Sequence, residues 1–277
     1  MEKVIITAAL TGTLTPKEAN PNIPMTPQEI ARDAYACWQA GAAIVHLHMR
    51  DDKGKGTMDK EKFRETVEQI KSKCDIIINL TSSGEVGATD EERMAHLCEL
   101  KPEMASFDAG TFNWMPSGVF MNSPQFLEKL GSVMLEHGIK PELEIFDSGM
   151  IHNTEYYMQK GLIAKPPHYQ FVLGVLGGAR ATIDNLVYLK NLLPPEATWS
   201  AFGIGKDHLP ILYAAIALGG HVRVGLEDNV YYVKNKLATN PDLVARAARL
   251  IKEADKAVAT PNEARQLLRL RAAASPA

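Results

Sequence analysis

The chain has little cysteine, nearly balanced charge and no long apolar run. Cys37, Cys74 and Cys98 are its three cysteines, and their wide spacing fits neither a disulfide framework nor a Cys-x-x-Cys zinc site. We therefore expect core thiols in a reducing compartment. Lysine and arginine number 30 against 33 acidic residues, and the resulting net charge of −3 argues against a surface that binds nucleic acid.

Targeting and membrane segments are also missing. No stretch approaches the roughly 18 consecutive apolar residues that a membrane span needs. The N-terminal sequence MEKVIITAAL lacks the basic flank and the long apolar core of a signal peptide. These features predict a cytoplasmic protein whose partners are small molecules rather than a membrane or a nucleic acid.

Short apolar runs alternate with longer helical patterns along the chain. We predict eight strands, over residues 4–7, 43–48, 76–81, 103–108, 142–146, 169–173, 199–202 and 221–224. Three helix starts place a capping side chain before a proline at the first helical position, at Thr26-Pro27, Ser123-Pro124 and Asn240-Pro241. At about 35 residues per unit, this alternation predicts one (β/α)8 TIM barrel domain over residues 1–277, with extra C-terminal helices from about residue 241. A doubly wound sheet is the alternative, but the turn after the first strand contains no Gly-x-Gly-x-x-Gly.

The predicted strands carry polar side chains into the barrel. Because side chains alternate across a strand, Val45 and Leu47 face the helices and His46 faces inward. Leaving a buried polar group without a hydrogen-bond partner costs about 1–3 kcal/mol. The inward-facing polar side chains must therefore bond to one another, to a metal or to a ligand. We predict an active site at the C-terminal strand ends, where the alternation brings together His46, His48, Asn79, Thr81, Ser106, Asp108, Glu142, Glu144 and Arg223.

Two histidines on one strand face suggest a metal site. His46 and His48 lie about 6.6 Å apart along the strand, so both rings can reach one ion at roughly 2.1 Å. The pair Glu227-Asp228, just after the eighth strand, is well placed to supply a third ligand. Two histidines and a carboxylate favour zinc, with manganese or iron as alternatives. Two histidines hydrogen-bonded inside a polar barrel would explain the same pattern without a metal.

Arg223 and two glycine-rich segments each have a structural and a functional interpretation. A buried Arg223 needs an anionic partner, either Asp228 or a substrate carboxylate. Residues 174–178 and 203–206 follow the sixth and seventh strands and are typical either of an anion-binding loop or of ordinary turns. We expect His96, His137, His152 and His208 to lie in loops or at the surface without a role. The aromatic residues after the fourth strand fit a pocket wall and core packing equally well.

Taken together, the motifs resemble those of the β-keto acid cleavage enzymes over essentially the whole chain. The resemblance rests on Thr7-Ala8-Ala9 with Thr11-Gly12, His46-Leu47-His48 with Arg50, Lys101-Pro102-Glu103-Met104-Ala105, Ala109-Gly110-Thr111, Pro141-Glu142-Leu143-Glu144, Ser148-Gly149-Met150, Gln170-Phe171-Val172-Leu173-Gly174, Gly219-Gly220-His221 and Gly225-Leu226-Glu227-Asp228-Asn229.

The resemblance implies a homotetrameric (β/α)8 barrel with Zn2+ held by His46, His48 and Glu227. It implies an acyltransferase that converts a β-keto acid and acetyl-CoA into acetoacetate and a new CoA thioester by a retro-Claisen route. Asp228 would be the base that removes the α-proton, oriented by Arg223. Thr81 stands where the family usually has serine. Glu144 matches a family acid near the substrate.

Three positions bear on the substrate, which the resemblance implies to be 3-keto-5-aminohexanoate of lysine fermentation or a related β-keto acid. Leu14 stands where the aminohexanoate-cleaving member has an acid, which removes part of the recognition of a cation. Ser106 replaces a threonine and Asp108 replaces an amide, so the negative charge is moved within the site.

Two other functions compete with this hypothesis. A metal-dependent hydrolase of the amidohydrolase type also has His-x-His at a strand end and an aspartate after the eighth strand, but its pair lies on the first strand and further histidines follow the fifth and sixth. A non-catalytic ligand-binding barrel would not need Arg223 and Asp228 beside a metal trio.

Overall fold

The computed structural model describes residues 1–84 and 87–271 of the chain. Within these residues eight parallel strands close into a barrel, in which each strand pairs with its neighbours in sequence and the last pairs with the first. The (β/α)8 prediction is confirmed. The strands are β1 Ile6–Ala9, β2 Ile44–Leu47, β3 Ile77–Leu80, β4 Met104–Asp108, β5 Lys140–Ile145, β6 His168–Leu173, β7 Thr198–Gly203 and β8 His221–Val224.

Helices follow the strands and surround the barrel. In the described residues they are α1 Pro27–Ala40, α2 Lys60–Lys71, α3 Asp90–Leu100, α4 Pro124–His137, α5 Ser148–Gln159, α6 Ile183–Asn191, α7 His208–Ala217, α8 Asn240–Glu253 and α9 Pro261–Leu268, with a 3-10 turn at Gly205–Asp207. The predicted caps at Thr26 and Ser123 are confirmed. No helix among these residues combines the length and apolar character needed to cross a bilayer.

The C-terminal segment differs in detail from the sequence prediction. Helix α8 completes the ring beside α1 and α7, and α9 is the additional helix. Thr239 rather than Asn240 caps α8. The Asn240 side chain is used elsewhere, because it accepts the Leu226 N–H and donates to the carbonyl oxygen of Leu10. It therefore ties the loop after β8 to the loop after β1.

Short two-stranded pairs lie at the ends of the barrel, outside its eight-stranded sheet. They join Met49–Arg50 to Gly56–Thr57, Phe112–Trp114 to Gly118–Phe120 and Tyr231–Val233 to Lys236–Leu237, whereas Lys3–Val4 and Ala257–Val258 pair in parallel. At the N-terminal end, Ala264 and Leu268 of α9 pack with Ile5, Ile44 and Met104. This apolar plug closes one end of the barrel, so the polar interior can open only at the other end.

Two expectations about single residues are wrong. Cys37 is buried, but Cys74 is half-buried and Cys98 is exposed, so only one of the three thiols belongs to the core. His96 is fully buried, stacks on Phe63 at 4.1 Å between ring centroids, and its Nε2 lies 2.8 Å from the carbonyl oxygen of Thr81. The reason is helical spacing, since His96 shares the inner face of α3 with Arg93 and Leu97.

His208 also departs from its predicted surface position. It is half-buried at the start of α7, with Nδ1 2.7 Å from the Gly205 carbonyl oxygen and Nε2 2.7 Å from an Arg246 nitrogen. Because both ring nitrogens have partners in the fold, His208 connects the loop after β7 to α8.

Gly225, at the end of β8, is required by close chain approach. Its φ is +156°, and a Cβ there would lie 1.9 Å from the carbonyl oxygen of Ala9. We expect Gly225→Ala to lower the free energy of unfolding by about 3 kcal/mol, through strain and overpacking. Gly54 has φ +78° with no atom within 4 Å of its Cβ position, so Gly54→Ala should cost about 1 kcal/mol. Urea unfolding measures both, and equal losses would contradict the steric explanation.

His221 should make the fold sensitive to acid. Its Nδ1 accepts the Ile5 N–H at 3.2 Å, and burial lowers its pKa from 6.5 to about 4. Between these pH values the unfolded chain binds a proton that the folded chain does not, so stability falls as pH falls from 6.5 to 4. The contribution is at most about 3 kcal/mol.

The measurement is urea unfolding of the metal-free protein at several pH values, with His221→Leu as the comparison. The variant should be less stable at pH 7, because the Ile5 N–H loses its acceptor, and its stability should depend less on pH. A variant with the same pH slope as the wild type would show that His221 does not cause it.

Candidate active site

The open end of the barrel contains a cavity of about 1180 Å³. This exceeds the common range for a single small-molecule pocket, about 300–1,000 Å³, and so leaves room for a large or a second ligand. Of the residues that the sequence analysis placed in the site, Asn79 and Glu142 do not line this cavity. The lining includes Leu14, His46, His48, Thr81, Ser106, Asp108, Glu144, Arg223, Glu227 and Asp228.

His46, His48 and Glu227 meet at one point of this cavity. The Nε2 atoms of His46 and His48 lie 3.6 and 3.5 Å from Glu227 Oε1. His46 lies on β2 and His48 follows directly, whereas Glu227 reaches the same point because the chain turns sharply at Gly225. The ligand atoms of the three residues all lie within 4.8 Å of one another, so a single ion can contact all of them.

The protonation states of this trio suit a divalent metal. Burial lowers the pKa of His46 well below its ordinary value and also lowers the pKa of His48, so both imidazoles are neutral. Burial opposes ionisation of Glu227, but the positive charge of Arg223 and the hydrogen bond that it donates act in the other direction, and the pKa of Glu227 is lowered to about 2. Glu227 Oε2 is buried without a hydrogen-bond partner. Neutral imidazoles and an ionised carboxylate with an unused oxygen fit zinc.

A second trio, His46 with Glu142 and Glu144, also lies within 4.8 Å. Burial raises the pKa of Glu142 to about 7 and raises that of Glu144 well above its ordinary value. Carboxyl groups that hold their protons are weaker metal ligands, so this trio fits a cation less well than the first.

Arg223 is the charged centre of the site. Its Nε and Nη2 atoms each donate to a different Asp228 oxygen at 2.9 Å, and Nη2 also donates to Glu227 Oε1 at 2.5 Å. The guanidinium is buried and lies 4.3 Å from the centre of the Phe202 ring. Of the two partners that the sequence left open for Arg223, the fold provides Asp228. The two-point contact fixes the orientation of that carboxylate.

Asp228 is held from its backbone as well, because its carbonyl oxygen accepts the Gly205 N–H at 2.9 Å. Burial raises the pKa of Asp228 to about 6, with Arg223 acting in the opposite direction. The residue is therefore mostly ionised near neutral pH while remaining able to take up a proton, which is the property of a general base.

Asp108 and Glu144 form a neighbouring acid pair. They are directly opposite on β4 and β5, and both line the cavity. Burial raises the pKa of Asp108, and burial together with the Asp108 charge raises that of Glu144. Asp108 Oδ2 is buried without a hydrogen-bond partner. A ligand that brings a proton donor or a positive charge would satisfy this oxygen.

Thr81 and Ser106 supply hydroxyl groups beside these acids. Thr81 Oγ1 lies 2.9 Å from Ser83 Oγ, and Ser106 Oγ accepts the Ser82 N–H at 2.9 Å. Ser106 therefore already holds the loop after β3, and Thr81 Oγ1 also accepts the Ser83 N–H at 3.1 Å.

The rim is mainly apolar. Leu14 is 65% exposed there. Trp114 and Phe120, from the hairpin after β4, pack on Phe146 and line the cavity. The glycine run after β6 is explained by packing, since a Cβ at Gly177 would lie 1.6 Å from the carbonyl oxygen of Asn113. The turn interpretation therefore accounts for Gly177 without an anion.

Two buried arginines that sequence reasoning did not assign support the rim. Arg50 donates to the carbonyl oxygens of Gly12 and Thr15, which holds the loop that carries Leu14. Arg93 donates to the Ser82 carbonyl oxygen at 2.8 Å and lies 3.7 Å from the centre of the Phe126 ring. The helical spacing of Arg93 with buried neighbours was the available signal.

Comparison with known proteins shows the family of this chain. The sequence profile of the beta-keto acid cleavage enzyme family matches residues 3–270. The chain is 47% identical to the 3-keto-5-aminohexanoate cleavage enzyme of Fusobacterium nucleatum, over 98% of this chain and 99% of that protein. It is 38% identical to the 3-oxoadipate:acetyl-CoA acetyltransferase of Cupriavidus necator, over 96% of this chain and 94% of that protein. The chain belongs to the β-keto acid cleavage enzyme family.

Solved structures support the fold. The apo structure of ObcA superposes with a TM-score of 0.82 at 21% sequence identity, covering 90% of this chain and 66% of that one. At this identity the likeness concerns the barrel architecture.

Arg223 should be essential for stability because it is buried among acids. We expect Arg223→Met to lower the free energy of unfolding of the metal-free protein by about 3–5 kcal/mol at pH 7, since Glu227 and Asp228 remain buried without their cation. Arg64 also bonds two glutamates, Glu61 and Glu68, but on the exposed side of α2. Arg64→Met should cost at most about 1 kcal/mol. Urea unfolding compares the two, and similar losses would contradict this account of Arg223.

Proposed function

We propose that this chain is a zinc-dependent enzyme that converts a β-keto acid and acetyl-CoA into acetoacetate and a new acyl-CoA. The observation that carries the proposal is the meeting of the His46–His48–Glu227 trio with the Arg223–Asp228 pair in one cavity. The relatives are named for the same class of reaction, cleavage of 3-keto-5-aminohexanoate and acetyl transfer from acetyl-CoA to 3-oxoadipate.

His46, His48 and Glu227 would hold the zinc ion. When bound, the ion supplies Lewis-acid stabilisation of the negative charge that develops as the α-proton of the β-keto acid leaves. The neutral histidines and the ionised glutamate support this assignment, as does the unpartnered Glu227 Oε2.

Asp228 is the proposed base. Arg223 holds its two oxygens at 2.9 Å each, so the carboxylate cannot rotate away from the substrate. Asp228 takes the proton from the carbon between the keto and carboxylate groups. Asp228 and Arg223 are both buried, which increases the effect of each charge in the site.

The bonds then exchange in two stages. The α-carbon forms a bond to the acetyl carbon of acetyl-CoA, and the CoA thiolate leaves with the electron pair of the broken C–S bond. The thiolate attacks the original keto carbon, and the bond between that carbon and the α-carbon breaks. The α-carbon regains a proton, for which Asp228 is the source. The products are acetoacetate and the new thioester, with no oxidation or reduction.

The substrate we propose is 3-keto-5-aminohexanoate or a related β-keto acid. Asp108 and Glu144 offer a buried negative site in which a substrate ammonium group would meet the unpartnered Asp108 Oδ2. Thr81 and Ser106 would add hydroxyl contacts, and Leu14 gives the rim an apolar surface. We also propose, from family resemblance, that the protein is a homotetramer of the cytoplasm. The fold does not favour the hydrolase alternative. The histidine pair begins on β2 rather than on the first strand, and β5 contributes Glu144 rather than being followed by a histidine ligand.

The test is turnover by the zinc-loaded protein with acetyl-CoA and a panel of neutral, acidic and amino-bearing β-keto acids, followed by mass spectrometry. We expect acetoacetate and a new acyl-CoA, both strictly dependent on acetyl-CoA. Asp228→Asn should retain zinc but lose at least about 100-fold in kcat, since the base is removed. Glu227→Gln should lose both zinc and activity. Product formation without acetyl-CoA would contradict the proposal and favour a hydrolase.

The role of Asp108 is tested in the same assay. Asp108→Asn keeps the shape of the side chain and removes its charge. We expect kcat/KM to fall about tenfold or more for amino-bearing acids, through loss of a buried ionic contact, and to change little for neutral acids. Equal effects on both groups would show that Asp108 does not recognise a cation.

A further inference from the structure

We propose that Asn79 and Glu142 are positioning residues that hold the His46 ring with its Nε2 atom free for the metal. The inference rests on the proposed function, because it concerns the zinc site described there. Neither residue belongs to the trio, and neither lines the cavity.

The three residues form a chain across the barrel interior. His46 and Asn79 are directly opposite on β2 and β3, and both are fully buried. On the far side, Asn79 Nδ2 donates to Glu142 Oε1 at 2.7 Å. Asn79 is therefore placed between a carboxyl group and an imidazole ring.

The contact with Glu142 decides which way the amide points. In the structure the NH2 end of Asn79 faces Glu142, and an oxygen of that carboxyl group can accept this hydrogen bond whether or not the group holds a proton. Turning the amide over would break the 2.7 Å hydrogen bond from Asn79 Nδ2 to Glu142 Oε1.

The other end of the amide then acts on His46. Asn79 Oδ1 and His46 Nδ1 belong to neighbouring residues on the two strands, both atoms are buried, and neither has a hydrogen-bond partner among the described residues. Burial is the largest influence on the pKa of His46 and lowers it, whereas hydrogen bonding to Asn79 acts in the opposite direction. A carbonyl oxygen only accepts, so these two unpartnered atoms can satisfy each other only when His46 Nδ1 carries the proton.

The consequence is a fixed tautomer. A neutral imidazole carries one proton, so a protonated Nδ1 leaves Nε2 with a free electron pair. Nε2 is the atom that lies 3.6 Å from Glu227 Oε1 in the metal trio. Without Asn79, His46 could place its proton on Nε2, and metal binding would have to displace it. Partners of this kind change metal affinity by about 10–100-fold when they are removed.

The first test is zinc affinity of the full-length protein, measured by competition with a fluorescent chelator. Asn79→Leu removes both ends of the amide with little change in volume, and we expect its zinc Kd to rise about 10–100-fold. The matched control is Gln170→Leu. Gln170 is another fully buried barrel amide, but its recorded hydrogen bond is to Ser200. Its Kd should stay within about twofold of the wild type. A folded Asn79→Leu protein with unchanged affinity would overturn the inference.

The second test needs no variant of Asn79. In metal-free wild-type protein with 15N-labelled histidine, NMR should show His46 protonated at Nδ1, with its signals assigned by their absence in His46→Gln. A proton on Nε2 would overturn the inference. Binding of two zinc ions per chain, with one lost in Glu142→Gln, would also overturn it, because Glu142 would then be a ligand.

The outcomes separate this inference from the proposed function. A wild-type chain that binds no zinc would contradict the metal assignment of the proposed function, and this inference would fall with it. Zinc-dependent turnover by the wild type, together with unchanged zinc affinity in Asn79→Leu, would overturn the inference alone.

Discussion

The buried guanidinium of Arg223 is the interaction on which the rest of the site depends. It contacts Glu227 and Asp228 at hydrogen-bond distance and lies 3.7 Å from Glu144. Without a cation at this point, several carboxyl groups would face one another inside a low-dielectric barrel, and most would hold protons. With it, Glu227 is ionised with a pKa of about 2, whereas Asp228 has a pKa of about 6. One charge thus leaves one acid fully ionised and the other able to exchange a proton near neutral pH, which suits the metal-ligand and base roles that we propose for them.

The fold supports this arrangement from outside the cavity. Asn240 joins the loops after β1 and β8 through Leu10 and Leu226, and Arg50 holds the first of those loops. Arg93 and His96, both on α3, contact the backbone of the segment after β3. On the loop side these contacts use backbone N–H and carbonyl groups, so they fix the path of the loops without occupying the polar side chains that face the cavity. The apolar plug of α9 closes the opposite end, so chemistry is confined to one mouth.

The barrel and the inward-facing residues of its site could largely be predicted from the strand patterns in the sequence. Each predicted strand overlaps a strand of the barrel, and the alternation of Val45 and Leu47 with His46 reports which face each side chain takes, because a strand has a period of two. Helix α3 was harder to read. Apolar and polar residues are not clearly separated between its faces, so the pattern did not predict that Arg93 and His96 are buried. Side chains of these types are also seldom fully buried. The cap of α8 moved by one residue, because Asn240 is bound to the loops of the mouth.

The sequence by itself determined the barrel, the membership of His46, His48, Arg223, Glu227 and Asp228 in one mouth, and the family. It could do so because periodicity is local and the ends of parallel strands meet. Only the tertiary structure decided the partner of Arg223, the pairing of Asp108 with Glu144, and the alignment of His46, Asn79 and Glu142. Those features depend on strand register and on the direction of individual polar atoms, and neither is encoded in the spacing of residues along the chain.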